Sequence, residues 1–271
     1  MIRKFKRYLS TRKIGPPRTA LIDGDILVYR IGFASEKDEE PDPIDKVLHS
    51  VKVYIQTIMD GAGANRKQLF LTGPGNFREE IATILPYKGN RENNKKPYHF
   101  DNIREYMIEY HDAIVSEGNE ADDLLAIETY QNFLRHNGDQ DKADVVLCSL
   151  DKDLDMVPGW HFNWNHERLY WVSEEQGIRT FYLQLLTGDR TDNIQGIPKI
   201  GPKKAEKILE GLNDPYEMYV ASLKAYTKYY EDAAYEALLE NARLLWMQRE
   251  PGELWEPDEG WPREVSIEEE E

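Results

Sequence analysis

Two short apolar runs, each ending in carboxylates, constrain this chain more than any other feature. Val145-Val146-Leu147-Cys148 is followed by Ser149, Asp151, Asp153 and Asp155, and Ala20-Leu21-Ile22 by Asp23 and Asp25. An unbroken apolar, β-branched run of this length predicts a strand buried on both faces, as in a parallel sheet. Ligands of open α/β sheets bind beyond the carboxyl ends of such strands, so the acids leave their strands where a site belongs. A third set, Glu120, Asp122 and Asp123, opens a predicted helix that Asn119 or Glu120 caps. Acids in a first turn are ordinary partners of the helix dipole, which accounts for one or two of the three. Carboxylates held this close repel, and some take up protons unless something neutralises them. Hard divalent cations, Mg²⁺ or Mn²⁺, suit an oxygen-only set, and no His-rich or Cys-rich set competes for them.

The chain has 271 residues, enough for one large domain or two. Its one cysteine, Cys148, excludes a disulfide framework and fits a reducing compartment. No apolar run approaches the roughly 20 residues of a membrane span. The start, MIRKFKRYLSTRK, has neither a long apolar core nor a small-residue cleavage site, so a cytoplasmic protein is expected. The net charge of -16 argues against a polyanion partner until its distribution is considered. Residues 1–18 carry no acid, residues 88–104 and 199–207 are locally basic, and the acids gather in 36–45, in the suspected site and in the tail. Net charge says little about partners when carboxylates hold cations or sit in a tail.

In order along the chain, residues 1–18 form a basic arm that is either a flexible tail or a phosphate contact. A strand is expected at 19–23, a helix at 26–33, a polar loop at 36–45 and a helix at 44–59 packed on the sheet through Val47, Val51, Tyr54, Ile55 and Ile58. A second strand is expected at 68–71. From 76 to about 110 basic residues and tyrosines mix with few aliphatics, predicting an extended or weakly helical insertion beside the sheet. Such a segment is either a solvated loop or a path for a single strand, with charge following phosphates and rings stacking on bases. A short strand at 112–115 precedes the helix of Glu120, which runs to about His136 with Leu124, Leu125, Ile127, Phe133 and Leu134 facing inward. Residues 160–172 are aromatic and roughly alternating, as in a hairpin with Asn165-His166 at its turn or in further strands. His161 and His166 read as structural.

A helix ends at Gly188. Gly188-Asp189-Arg190-Thr191-Asp192-Asn193 follows, then Gly196-Ile197-Pro198-Lys199-Ile200-Gly201-Pro202-Lys203-Lys204-Ala205. This second stretch reads as a glycine turn opening a helix to about Gly211, whose backbone amides, with Lys199, Lys203 and Lys204, make a phosphate site that reads no base. Residues 216–248 read as amphipathic helix, and 249–271 as a loose acidic tail.

Five strings, in this order, resemble the 5′→3′ exonuclease and flap endonuclease family: Leu21-Ile22-Asp23-Gly24, Tyr87-Lys88-Gly89-Asn90-Arg91, Glu120-Ala121-Asp122-Asp123, residues 149–153 and residues 188–205. The family includes the nuclease domain of bacterial DNA polymerase I, eukaryotic flap nucleases and stand-alone phage 5′ exonucleases. The chain is most similar in type to the last of these. The resemblance implies an α/β fold: a PIN-like (resolvase-like) nuclease core over 19–187 with a mainly parallel sheet and a helical arch at about 76–110, a helix–hairpin–helix region over 188–248, and the tail over 249–271.

It also implies a Mg²⁺-dependent, sequence-independent phosphodiesterase acting by a two-metal mechanism near a 5′ end or flap of double-stranded DNA, with Mn²⁺ able to substitute. RNA primers on RNA–DNA hybrids would be a related substrate. By motif, Asp23, Glu120, Asp122 and Asp151 match ligands of one cation and Asp153, Asp189 and Asp192 those of the second, with Asp123 beside or between them. Lys88 and Arg91 would hold and polarise the scissile phosphate. Arg30, Lys95 and Lys96, and Gly196, Lys199, Gly201, Lys203 and Lys204 at the hairpin, would hold DNA, with K⁺ a further candidate at the hairpin. The expected protein is a monomer in the cytoplasm, the host's if phage-encoded, with the tail as a docking segment for replication proteins or a solubilising one. The acid that many family members carry after the second strand is missing, since Leu71-Thr72-Gly73 stands there; either one cation has fewer protein ligands and more water, or a spare carboxylate, Asp25 or Asp155, compensates. The contrasting reading, from another class, is a catalytically silent binder of DNA junctions.

Overall fold

A computed structural model describes residues 18–36, 40–91 and 95–266. The basic arm, apart from Arg18, lies outside the described residues, as do residues 267–271 of the tail. Six strands form one sheet in the order β3-β2-β1-β4-β5-β6. They are β1 (Arg18–Asp23), β2 (Ala64–Leu71), β3 (Ile114–Val115), β4 (Val145–Cys148), β5 (Gly159–Asn163) and β6 (Arg168–Val172). Every pairing is parallel except that of β5 with β6, the expected hairpin.

The chain builds outward from β1 to β2 and β3, then returns to β1's other side with β4 and β5. This reversal opens a crevice beyond the carboxyl ends of β1 and β4. Ile22 pairs with Cys148, so Asp23 and Ser149 leave the sheet side by side. The strands are apolar on both faces because both are covered. Ala20 and Ile22, Leu69 and Leu71, and Val146 and Cys148 belong to one core; Leu21, Phe70 and Leu147 belong to the other. This period of two is what a strand requires of a doubly covered sheet.

The first core lies under α1 (Gly24–Ala34), α2 (Ile44–Ala62) and α4 (Phe100–His111). Gly24 makes the sharp turn from β1 into α1: a Cβ there would stand 2.6 Å from Phe70 O. The second core lies under α5 (Ala121–Arg135), α6 (Glu174–Thr187), α8 (Pro215–Tyr230) and α9 (Ala234–Leu245). α3 (Phe77–Ile81) and α7 (Pro202–Ile208) pack on this second core too, through Ile81 and Ala205.

Several expectations differ from the fold. Residues 76–110 contain a regular helix, α4, laid on the sheet side through Ile103 and Met107, both fully buried. Only those two positions need be apolar, which is why the segment looked poor in aliphatics. The helix expected at 216–248 is two, because Glu231 takes the left-handed region (φ 51) and the chain turns back. The helix after the glycine turn ends at Ile208, three residues before Gly211. On α5, Leu134 is exposed rather than buried. The tail is not loose as far as residue 266: Trp255 joins the second core and Tyr219 Oη donates to Pro262 O at 2.6 Å. Among the described residues no helix is long and apolar enough to cross a membrane.

Candidate active site at the reversal of the sheet

A cavity of about 980 Å³ fills the crevice. Asp23 reaches it from β1, Glu120 and Asp122 from the start of α5, Asp151 and Asp153 from the loop after β4, and Asp192 from the turn after α6; Lys88 and Arg91 line it too. Asp189 is not in the wall but stands beside Asp153. Five segments distant in sequence therefore converge on one hollow.

The carboxylates are crowded and poorly compensated. Asp23 is buried, caps α1 by accepting from Ile26 N at 3.1 Å, and accepts from Ser149 Oγ at 2.8 Å. Burial, with Asp25 and Asp151 nearby, still pushes it up to about 7. Burial raises Asp122 well above its ordinary value, and Asp23, Asp151 and Glu120 add to this. Asp153 is pushed up to about 8, by burial first and then by its bond to Asp189 and the charges of Asp151 and Asp189. Burial also acts on Asp189, but the bond from Asp153 and the amides of Thr191 and Asp192 outweigh it and the group falls.

An oxygen-only set that must borrow protons to tolerate its own charge fits a hard divalent cation. Among the described residues, however, no three of these side chains already meet around one point.

The basic residues are engaged by the same acids. Lys88 Nζ bonds to Glu120 Oε1 and lies 3.7 Å from Asp192 Oδ2. Arg91 Nη2 donates to Asp192 Oδ1 at 2.6 Å and its Nε to Thr191 O at 3.1 Å. The Tyr87 hydroxyl stands 2.8 Å from Glu120 Oε2 and 2.9 Å from Asp192 Oδ2. Burial first, opposed by Lys88 and then Arg78, acts on Glu120, which falls below its ordinary value. Asn90 and Asn193 complete the clasp by bonding to Arg190 O and Pro86 O.

Other expected site residues lie elsewhere. Asp123 is fully buried on the far side of α5's first turn, with both oxygens on Arg78, so it does not face the cavity. Arg30 and Lys96 line the cavity, Lys96 over the Phe100 ring at 4.5 Å. Lys95 does not; it stands exposed, 3.8 Å from Glu36 Oε2. Lys199 and Gly201 border a separate hollow with Leu85 and Arg190, and Lys203 another. Lys204 Nζ donates to Lys199 O. Gly196 shapes the turn: a Cβ there would stand 2.2 Å from Gly188 N.

Of the spare carboxylates, Asp155 accepts from Tyr170 Oη in a different hollow. Asp25 is in the cavity, paired with Arg104 at 2.9 Å and accepting from Thr72 N at 2.9 Å, just past the end of β2. Tyr87, Arg104 and Met247 also line or brace the site. Only Tyr87 had a sequence signal, its place beside Lys88.

No family model matches the chain. The flap endonuclease Xni of Vibrio parahaemolyticus is 32% identical over 218 residues, 74% of this chain and 79% of that protein. DNA polymerase I of Rhizobium leguminosarum is 36% identical over 150 residues, and that of Bacillus caldotenax 28% over 214. The chain spans only 14% and 23% of the length of those two polymerases. Among solved structures, T5 5′-exonuclease with bound zinc superposes with a TM-score of 0.58 at 22% identity, over 84% of this chain and 89% of that one, a likeness of fold.

Proposed function

The chain belongs to the flap endonuclease and 5′–3′ exonuclease family, and from that premise we propose a nuclease that cuts DNA near a 5′ end or flap, with divalent cations at the acidic cavity. The observation that carries this reading is the meeting of acids from β1, α5, the loop after β4 and the turn after α6 with Lys88 and Arg91 in one hollow. Asp23, Glu120, Asp122 and Asp151 are the side chains that would hold one cation, and Asp153, Asp189 and Asp192 a second. Such cations, Mg²⁺ or Mn²⁺, would supply the positive charge that admits a phosphodiester and favours attack on it by water.

The remaining work falls to the chain's own groups. Lys88 and Arg91, now held by Glu120 and Asp192, lie where they can turn to the scissile phosphate and offset its charge. Tyr87 holds Glu120 and Asp192 in fixed relation. Arg30 and Lys96 offer charge along the cavity's other wall, and the exposed Tyr29 offers a ring to unpaired bases. Lys199, Lys203 and Lys204 hold duplex backbone at a distance from the cut, reading no base. Phosphodiester attack by water makes no demand on the 2′ position, so RNA on RNA–DNA hybrids is a second substrate.

The test uses a 5′-labelled flap duplex and a blunt duplex, in Mg²⁺ and in EDTA. Short 5′ products are expected in Mg²⁺ and none in EDTA, with Asp153→Asn slower by about 10²-fold or more. Binding without cleavage in Mg²⁺ or Mn²⁺ would contradict the reading and favour a junction-binding protein.

A further inference from the structure

We propose that Arg78 and Asp123 are positioning residues of the acidic cavity, braced against residues 244–248 at the end of α9. The proposal rests on the metal-dependent reading above and concerns how the first turn of α5 is held. That turn presents Glu120 and Asp122 to the cavity and Asp123 to the protein interior. Asp123 Oδ2 and Oδ1 accept from Arg78 Nη1 at 2.6 Å and Nη2 at 2.8 Å. The same Oδ2 accepts from the Glu120 backbone N at 3.2 Å, so the pair fixes the peptide from which Glu120 projects.

Arg78 has more to give. Its Nε donates to Leu244 O and its Nη2 to Trp246 O, both at 2.9 Å. These are carbonyls that the end of a helix leaves without partners, and a cation beside them also complements the negative end of the helix dipole. Gln248 N in turn approaches Asp123 Oδ1 at 3.4 Å. Met247, between these contacts, lines the cavity itself. Four donors in one rigid plane are needed, which a guanidinium supplies and an ammonium does not. An ion pair placed only to stabilise the fold need not touch a turn that bears two site carboxylates.

The experiment uses the full chain and Mn²⁺, followed by electron paramagnetic resonance, with thermal midpoints alongside. Three variants are compared: Arg78→Met/Asp123→Leu, Arg78→Lys, and Ile58→Ala in the other core as a destabilised control. The pair variant should need about 10- to 100-fold more Mn²⁺ for half-occupancy, with the number bound at saturation unchanged. Arg78→Lys should fall between it and the parent. Ile58→Ala should lower the midpoint but shift Mn²⁺ binding less than twofold.

Equal shifts in the pair variant and the control would reduce the pair to a structural role and overturn the proposal. Loss of one Mn²⁺ equivalent in the pair variant would make Asp123 a ligand and overturn it too. If the pair variant does not fold, Arg78→Lys decides: a shift above threefold supports the proposal, and one within twofold of the parent overturns it. A parent protein that binds no Mn²⁺ would overturn the metal reading as well, which separates that failure from this one.

Discussion

Asp122 and Asp123 are adjacent in sequence and opposite in circumstance. Asp122 faces a hollow shared with Asp23, Asp151 and Glu120, where Lys88 only partly offsets the combined charge and its carboxyl is driven toward the protonated form. Asp123 is more deeply buried, yet a guanidinium meets both its oxygens. Burial alone therefore does not mark a site. What marks it is charge the protein has gathered and left unbalanced, because that charge awaits a partner from outside.

The sharpest way to break the comparison is to neutralise one acid on each side. Asp122→Asn should slow single-turnover cleavage by roughly 10³-fold, while leaving the thermal midpoint of the metal-free protein unchanged or higher, since one of several repelling charges is gone. Asp123→Ala should act first on stability, costing about 3–5 kcal/mol in urea denaturation because Arg78 is left buried and unpaired. Equal stability losses for the two would erase the distinction. Lys88→Ala should lower the cleavage rate by about 10²-fold with little effect on unfolding, since the side chain is one-quarter exposed and its task is the phosphate. The smallest effect belongs to the hairpin. Lys203→Ala and Lys204→Ala should each weaken duplex binding alike for all sequences and flatten the slope of log K against log salt by about 1.

The sheet and its acids were legible because their signals are local. An apolar run followed directly by carboxylates names β1 and β4 and the ends that bear Asp23 and Asp151. The period-two alternation of the hairpin and the helical spacing of Val47, Val51, Ile55 and Ile58 are equally local. What escaped depends on distant partners. Asp123 differs from Asp122 only through Arg78 and the carbonyls of Leu244 and Trp246, residues remote from it in sequence. The place of Asp25 depends on Arg104 and Thr72 in the same way. α4 was obscured because it buries only two side chains, and the packing of Trp255 because the acids around it suggested a solvated tail.

The account's central claim is that two groups of carboxylates at the reversal of the sheet hold divalent cations. Crystals soaked in Mn²⁺ and measured at a wavelength where manganese scatters anomalously test it directly. The account predicts one peak among Asp23, Glu120, Asp122 and Asp151, a second among Asp153, Asp189 and Asp192, and none at Asp123. A cavity without peaks at saturating Mn²⁺, or a peak at Asp123 with Arg78 displaced, would contradict it.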